Sequence, residues 1–185
     1  MYGALEGVIY TNAGYAGGTT NNPTYNNIGD HAETVEVIYD PKMISYEELV
    51  EYYIESTANT IGASTGQYRY LVFYNNQEEK KFIQKRTAEM EENNNLNFEM
   101  VQLDEFYKAE NYHQKYQLRS RRAVYNKLKE IYINEENLIS SHLAAKFNAF
   151  SSGLISEEAI IKILDDSYLS PIYPNKFAEL KELIK

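Results

Sequence analysis

The sequence predicts an α+β fold of the ferredoxin-like split βαβ kind, a sandwich with helices packed on a mixed or antiparallel sheet, followed by a C-terminal helical extension. Three observations predict it. Residues 31–39, "HAETVEVIY", alternate with period two, as a strand does. Residues 68–74, "YRYLVFY", form a continuous apolar run of strand length, which reads as a buried strand. Between and after these runs, apolar residues recur at helical spacing behind clear start signals.

Taken in chain order, Gly7 to Thr11 is a short strand ended by a turn at "NAGYAGG". Residues 17–31 are rich in Gly, Asn, Thr and Pro and read as a loop, the kind of segment that carries functional groups. In the strand His31 to Tyr39, Glu33, Val35, Val37 and Tyr39 share one face and Thr34, Glu36 and Ile38 the other. "YDPK" turns the chain. Ser45, with Glu48 three residues on, forms a capping box for a helix whose Tyr46, Leu49, Val50 and Tyr53 lie on one face. After the strand 68–74, Asn75 and Asn76 open a charged helix to about Glu92, with Phe82, Ile83 and Met90 inward. Leu96 to Leu103 alternates again. Residues 105–185 read as helical: Leu143, Phe147 and Phe150 share a face, Ser156 caps a helix carrying Ile160, Ile161 and Leu164, and "SPIYPN" breaks the chain before a short last helix. The expected division is a domain over 1–125 and a helical extension over 126–185.

Composition narrows the function classes. The net charge of −9 disfavours nucleic acid and anionic membrane as partners, because both need phosphate neutralisation. The basic cluster Lys115, Arg119, Arg121 and Arg122 reads as a solvated helix face. No apolar run approaches the roughly 20 residues of a membrane span, and no basic region leads into an apolar stretch at the N-terminus, which points to the cytoplasm. The chain has no Cys, so it contains no disulfide, no Cys-metal site and no thiol nucleophile of its own. His31, His113 and His142 are its only histidines and show no ligand spacing, so no metal site is expected.

Two stretches hold candidate chemistry. Glu33 shares the strand face of Val35 and Val37 at the strand's mouth; partial desolvation there would raise its pKa and suit it as a general acid. The other reading of the same position is a partly exposed strand-end Glu paired with a Lys. Tyr25, just upstream in the polar loop, is either a surface aromatic or a hydroxyl aimed into a cleft. In "FYKAENYHQKYQLR", residues 106–119, Tyr112 and Tyr116 stand four apart on an expected helix and share a face, flanked by Asn111 and His113.

These stretches carry a family resemblance. "GVIYTNAGYAGGTTNNPTYNNIGDHAETVEVIYDPKMISYEELVEYY" resembles the core of the type A peptide methionine sulfoxide reductase family, where the order "GYxGG…NPTY…GHAE…V.YDP…I.Y..LL" is typical. "FYKAENYHQKY" resembles the family's "FY.AEDYHQ.Y", and "TGQYRYLVFY" resembles "GTQYRSAIFY". The resemblance covers roughly residues 1–125, in the same order throughout; the tail around "SSHLAAKFNAFSSG" resembles an extension found in one branch. It implies reduction of the S epimer of methionine sulfoxide in proteins or peptides to methionine. A cysteine thiolate attacks the sulfoxide sulfur, and a Glu and two Tyr hydroxyls serve the departing oxygen. By motif these are Glu33 ("HAE"), Tyr25 ("NPTY") and Tyr116 ("YHQKY"), with Asn111 and His113 on the substrate-binding side. The resemblance also implies no bound cofactor, and thioredoxin or another thiol reductant as electron donor.

The sequence departs from the family pattern in three places. The family's "GCFWG" nucleophile motif precedes the equivalent of "GALEGV", and Met1 stands past that point. The acid of "AED" is Asn111 here, and "ESTANTIGASTG" replaces the usual "HDP" segment. Three expectations follow: a start placed downstream of the true one (a missed start codon, or a selenocysteine codon read as stop), a reductase-derived binding module that no longer catalyses, or a fragment without function. Were the enzymatic reading right, the side chains of Tyr25, Glu33 and Tyr116 would face one hollow.

Overall fold

The computed structural model describes residues 1–57, 66–92 and 98–184. Five strands and eight α-helices are present among these: β1 (Val8–Ala16), β2 (Ala32–Tyr39), α1 (Tyr46–Thr57), β3 (Leu71–Tyr74), α2 (Gln77–Glu92), β4 (Glu99–Gln102), β5 (Phe106–Lys108), α3 (Tyr116–Ser120), α4 (Arg122–Lys129), α5 (Glu135–Ile139), α6 (His142–Ser151), α7 (Glu157–Asp166) and α8 (Pro174–Ile184). The strands form a three-stranded sheet in the order β2-β1-β5 and a two-stranded sheet, β3-β4. Mixed helix and sheet content is thus observed. Two compact units divide the chain: a sheet unit of residues 13–36 and 41–110, and a helical unit of residues 1–12, 37–40 and 111–185.

In the sheet unit, β3, α2 and β4 form a βαβ element with parallel strands in the register Leu71↔Glu99 to Tyr74↔Gln102. A parallel pair needs a crossover, and the sequence supplies one in α2. Asn76 starts it: its side-chain oxygen accepts from the N–H groups of Glu78 (3.0 Å) and Glu79 (2.9 Å). Val50, Ile54, Val72, Tyr74, Ile83, Met90 and Phe98 make one buried cluster. The capping box at α1 is present: the Ser45 hydroxyl oxygen accepts from the Glu48 N–H at 3.2 Å, and Glu48 accepts from the Ser45 N–H at 2.8 Å. Arg86 on α2 donates to Glu51 on α1 at 2.7 Å.

The antiparallel pair β1/β5 runs in the register Gly14↔Lys108, Tyr15↔Tyr107 and Ala16↔Phe106, and the ladder continues with Ala109 N–H donating to the Ala13 carbonyl at 2.9 Å. This corrects two expectations. "NAGYA" continues β1 instead of turning, because β5 supplies a partner that local composition cannot reveal, and Gly14 lets that partner come close. Residues 106–108 are strand, not helix, for the same reason. Strand β3 is also shorter than the apolar run suggested: residues 66–68 form a 3-10 turn, Tyr68 is exposed, and β3 alternates in burial. The strand expected from Leu96 starts at Glu99; Leu96 and Asn97 lie outside the described residues, as do residues 58–65 of the "ESTANTIGASTG" segment.

In the helical unit, one apolar core gathers Leu118, Val124, Leu128, Leu138, Leu143, Phe147, Ile160, Leu164, Phe177 and Leu180 from α3 to α8. The expected inward faces are thereby met. Ser141 and Ser156 cap α6 and α7, accepting from the N–H groups of Ala144 (3.1 Å) and Ala159 (3.2 Å). The chain's first residues lie against α6: Lys146 donates to the Leu5 carbonyl at 2.6 Å, and a Cβ on Gly3 would lie 2.3 Å from the Ala145 carbonyl oxygen.

Candidate active site

The loop between β1 and β2 is built from short-range polar contacts. β1 ends where Gly17 takes a φ of +79°, a left-handed turn that glycine adopts without steric cost. The Asp30 carboxylate then accepts from the N–H groups of Thr19 (2.9 and 2.8 Å) and Thr20 (3.0 Å) and from both hydroxyls at 2.9 Å. These bonds, the Thr19 N–H foremost, hold the Asp30 carboxyl well below the ordinary carboxylate range. His31 is buried; its Nδ1 accepts from the Gly18 N–H at 3.1 Å and its Nε2 donates to the Thr20 carbonyl at 2.8 Å. In that pairing Nδ1 is the acceptor and Nε2 the donor. The Tyr107 ring of β5 meets His31 edge-on at 5.4 Å. Arg69 donates to the Gly17 carbonyl (3.3 Å) and the Asp30 carbonyl (2.8 Å), closing the base of the loop.

Tyr25 lies in a tight turn closed by Thr24 and Asn27, where the Asn27 N–H donates to the Thr24 carbonyl at 2.9 Å. Tyr25 is exposed. Its backbone N–H donates to Glu110 Oε1 at 3.0 Å. The other oxygen of Glu110 accepts from the hydroxyl of buried Tyr15 on β1 at 2.8 Å. Glu110 reaches this position because it follows directly on the Ala109–Ala13 rung that extends β5 along β1.

Glu33 is placed at the start of β2, as expected, but the face is reversed. Glu33 and Val35 are exposed, whereas Ala32 on the opposite parity is buried. The partial desolvation expected of Glu33 is therefore absent here. Parity was correctly read, but two valines misled the choice of face; β2 buries its small Ala32 at the mouth instead. The partner of Glu33 is an amide and not a lysine: Gln67 Nε2 donates to Oε1 at 3.2 Å.

The second stretch falls in the helical unit. Residues 111–115 form a turn and not a helix, with the Gln114 N–H donating to the Asn111 carbonyl at 3.1 Å. Lys115 has a φ of +52°, which breaks helical geometry just ahead of α3. The left-handed residue is secured by its own side chain, which is buried and donates to the Thr11 carbonyl. Tyr112 and Tyr116 consequently do not share a helix face. Tyr116 is the first residue of α3 and 70% exposed; Tyr112 is exposed and stacks its ring, tilted, on His113 at 4.2 Å. Asn111 is exposed and His113 partly buried. The basic cluster is likewise not a simple solvated face: Lys115 is buried, Arg119 pairs with Glu135 at 3.0 Å, and Arg121 lies over the Phe150 ring at 4.5 Å. Arg121 and Arg122 are both exposed, as expected of a solvated face.

Among the described residues no group of three or more His, Cys, Asp or Glu is arranged to hold a metal ion, and no helix is long and apolar enough to cross a membrane. Tyr25 and Glu33 belong to the sheet unit and Tyr116, Asn111 and His113 to the helical unit. Reading the sequence missed Glu110, Asp30 and Arg69. Asp30 holds Thr19 and Thr20 from 10 to 11 residues further along the chain, a loop closure that its immediate neighbours do not announce. Glu110 and Arg69 act across 85 and 39 or more residues of chain, and no local pattern reveals them.

The family model described as peptide methionine sulfoxide reductase matches residues 1–146. The chain belongs to the peptide methionine sulfoxide reductase family. Within this reductase family, it is 34% identical over 160 residues to a peptide methionine sulfoxide reductase of Drosophila melanogaster, covering 83% of this chain and 63% of the relative. Peptide methionine sulfoxide reductase A5 of Arabidopsis thaliana is 37% identical over 162 residues, with the same shares. A solved structure, methionine sulfoxide reductase A of Corynebacterium diphtheriae, superposes with a TM-score of 0.51 at 29% identity, over 61% of this chain and 64% of that one. The chain thus spans just under two thirds of the length of these relatives.

Proposed function

We propose that the gene product to which this chain belongs is a peptide-methionine (S)-S-oxide reductase that repairs oxidised methionine in proteins and peptides. The observation that carries this reading is the family match over residues 1–146, which takes in "NPTY", "HAE" and "YHQKY". In the reaction, a thiolate attacks the sulfoxide sulfur and takes up the oxygen as a sulfenic acid, while the substrate leaves as methionine. The S–O bond to the substrate breaks, one S–O bond forms on the thiol, and one proton is consumed. A thiol reductant, thioredoxin or a relative of it, then returns the sulfenic acid to the thiol and becomes a disulfide, releasing water.

Glu33 supplies the proton at the departing oxygen, and the hydroxyls of Tyr25 and Tyr116 donate hydrogen bonds to the negative charge that develops there. Asn111 and His113 line the substrate side; Asn111 orients the sulfoxide by hydrogen bonding, without the charge of a carboxylate. The 185 residues contain no Cys, so the attacking thiolate is not among them. The reading includes a ferredoxin-like arrangement of the reductase portion over 1–125 with a helical segment over 126–185 appended, a cytoplasmic setting, no bound cofactor or metal, and neither nucleic acid nor membrane as partner.

The test is turnover of a methionine-sulfoxide peptide by the full-length gene product with dithiothreitol. Glu33→Gln and Tyr116→Phe should each slow it by roughly 10- to 100-fold, in line with the loss of a proton donor or an oxyanion donor. Wild-type rates in both variants would show that the assigned roles are wrong.

A further inference from the structure

We propose that Glu110 is the positioning residue for Tyr25. The inference rests on the reductase reading for its purpose, though not for its geometry. Glu110 offers two oxygens, and the two are used differently. Oε2 is fixed by the hydroxyl of Tyr15, a residue only 2% exposed at the centre of the β1/β5 pair. Oε1 is presented to the backbone N–H of Tyr25. A carboxylate held at one oxygen by a rigid buried donor becomes a fixed acceptor at the other.

The seat of this acceptor is rigid for reasons visible in the sheet. β5 lies close against β1 at Gly14, where a Cβ would come within 2.4 Å of the Tyr107 carbonyl oxygen. The Ala109–Ala13 hydrogen bond carries the ladder to the residue before Glu110. Asp30, His31 and Arg69 hold the base of the 17–31 loop, whereas Glu110 grips it at Tyr25 itself. The bond is to the main chain, so it sets the origin of the Tyr25 side chain. A hydroxyl that must meet a developing oxyanion needs that kind of support, since displacement of a donor by about 1 Å can cost on the order of 100-fold in rate. Glu110 does not touch the reacting atoms in this account; it acts through Tyr25.

The experiment uses the 185-residue chain and two readouts: amide hydrogen exchange at Tyr25, and NMR titration with a short peptide carrying methionine S-sulfoxide. Glu110→Ala removes both acceptors; Glu110→Gln keeps the shape and one carbonyl oxygen. Exchange at Tyr25 should quicken by roughly tenfold or more in Glu110→Ala and by less than about threefold in Glu110→Gln. Peptide affinity should fall at least about fivefold in Glu110→Ala and be restored by Glu110→Gln, a rescue that a general loss of stability would not produce. Unchanged exchange at Tyr25 in Glu110→Ala overturns the proposal, as does unchanged affinity. If Glu110→Ala does not fold, Tyr15→Phe decides: it should quicken Tyr25 exchange about threefold by freeing the carboxylate, and no change overturns the proposal. If the unmodified chain fails to bind the peptide, the reductase reading falls, while the exchange measurement still decides whether Glu110 positions Tyr25.

Discussion

Gly14→Ala isolates what holds β5 to β1. Gly14 pairs with Lys108 in the antiparallel ladder, and its backbone is not left-handed, so the cost of a methyl group there is one of space. The added Cβ would lie 2.2 Å from Phe106 Cζ and 2.4 Å from the Tyr107 carbonyl oxygen. The ring end can swing aside; the carbonyl cannot move without its strand. Bringing the oxygen out to an ordinary C···O contact of about 3.3 Å requires a shift of roughly 0.9 Å. A shift of that size along the Ala109–Ala13 bond, now 2.9 Å, stretches it to about 3.8 Å, beyond hydrogen-bonding range. One or two lost ladder bonds at about 1 kcal/mol each, added to about 1–2 kcal/mol of crowding at Phe106, give a destabilisation of roughly 2–4 kcal/mol. Gly153→Ala is the comparison: its φ is +75° and nothing lies within 4 Å of the new Cβ, so only the conformational cost of about 1 kcal/mol remains. Urea unfolding followed by tyrosine fluorescence and far-UV circular dichroism measures both. A Gly14→Ala variant no less stable than Gly153→Ala would refute the steric account of the β1/β5 approach.

Further outcomes follow from the same contacts. Because folding depresses the pKa of Asp30, the stabilisation its carboxylate gives the loop is present above its ordinary value near 3.8 and is lost as pH falls through the depressed value. Amide shifts of Thr19 and Thr20 followed down to acid should therefore move only below that point, and Asp30→Asn should abolish the transition. Phe147→Ala, in the fully buried core of the helical unit, should cost about 3–5 kcal/mol in a denaturation experiment, while the amide spectrum of the β3-α2-β4 element, built on its own core, should change little. The 185-residue chain alone should show no reduction of methionine sulfoxide above a protein-free blank with dithiothreitol, since it has no Cys.

Those parts of the fold that depend on neighbours in sequence were legible. The capping box at Ser45, the Asn76 start of α2 and the Ser156 cap of α7 are all short-range devices, and each is present. Long-range pairing was not legible. β5 reads as the start of a helix until β1 is brought alongside it, and "NAGYA" reads as a turn until β5 gives it a partner. The turn at residues 111–115 was hidden by the left-handed Lys115, a conformation that a lysine rarely adopts and that is secured here by a bond to Thr11, more than a hundred residues away. The candidate site divides in the same way. Tyr25 and Glu33 are candidates by motif, but the burial expected of Glu33 was wrong because alternation gives two faces without saying which is covered. Glu110 was passed over because its role comes from a strand pair rather than from its neighbours.

We propose that Tyr25, Glu33 and Tyr116 serve one sulfoxide oxygen. It is tested most directly by titrating the chain with paired peptides, one carrying methionine S-sulfoxide and the other methionine, and following the resonances of those three residues. Saturable binding of the sulfoxide peptide is expected, with all three residues responding together, and weaker binding of the methionine peptide. Equal affinity for the two peptides, or a response that leaves any of the three unmoved at saturation, would contradict it.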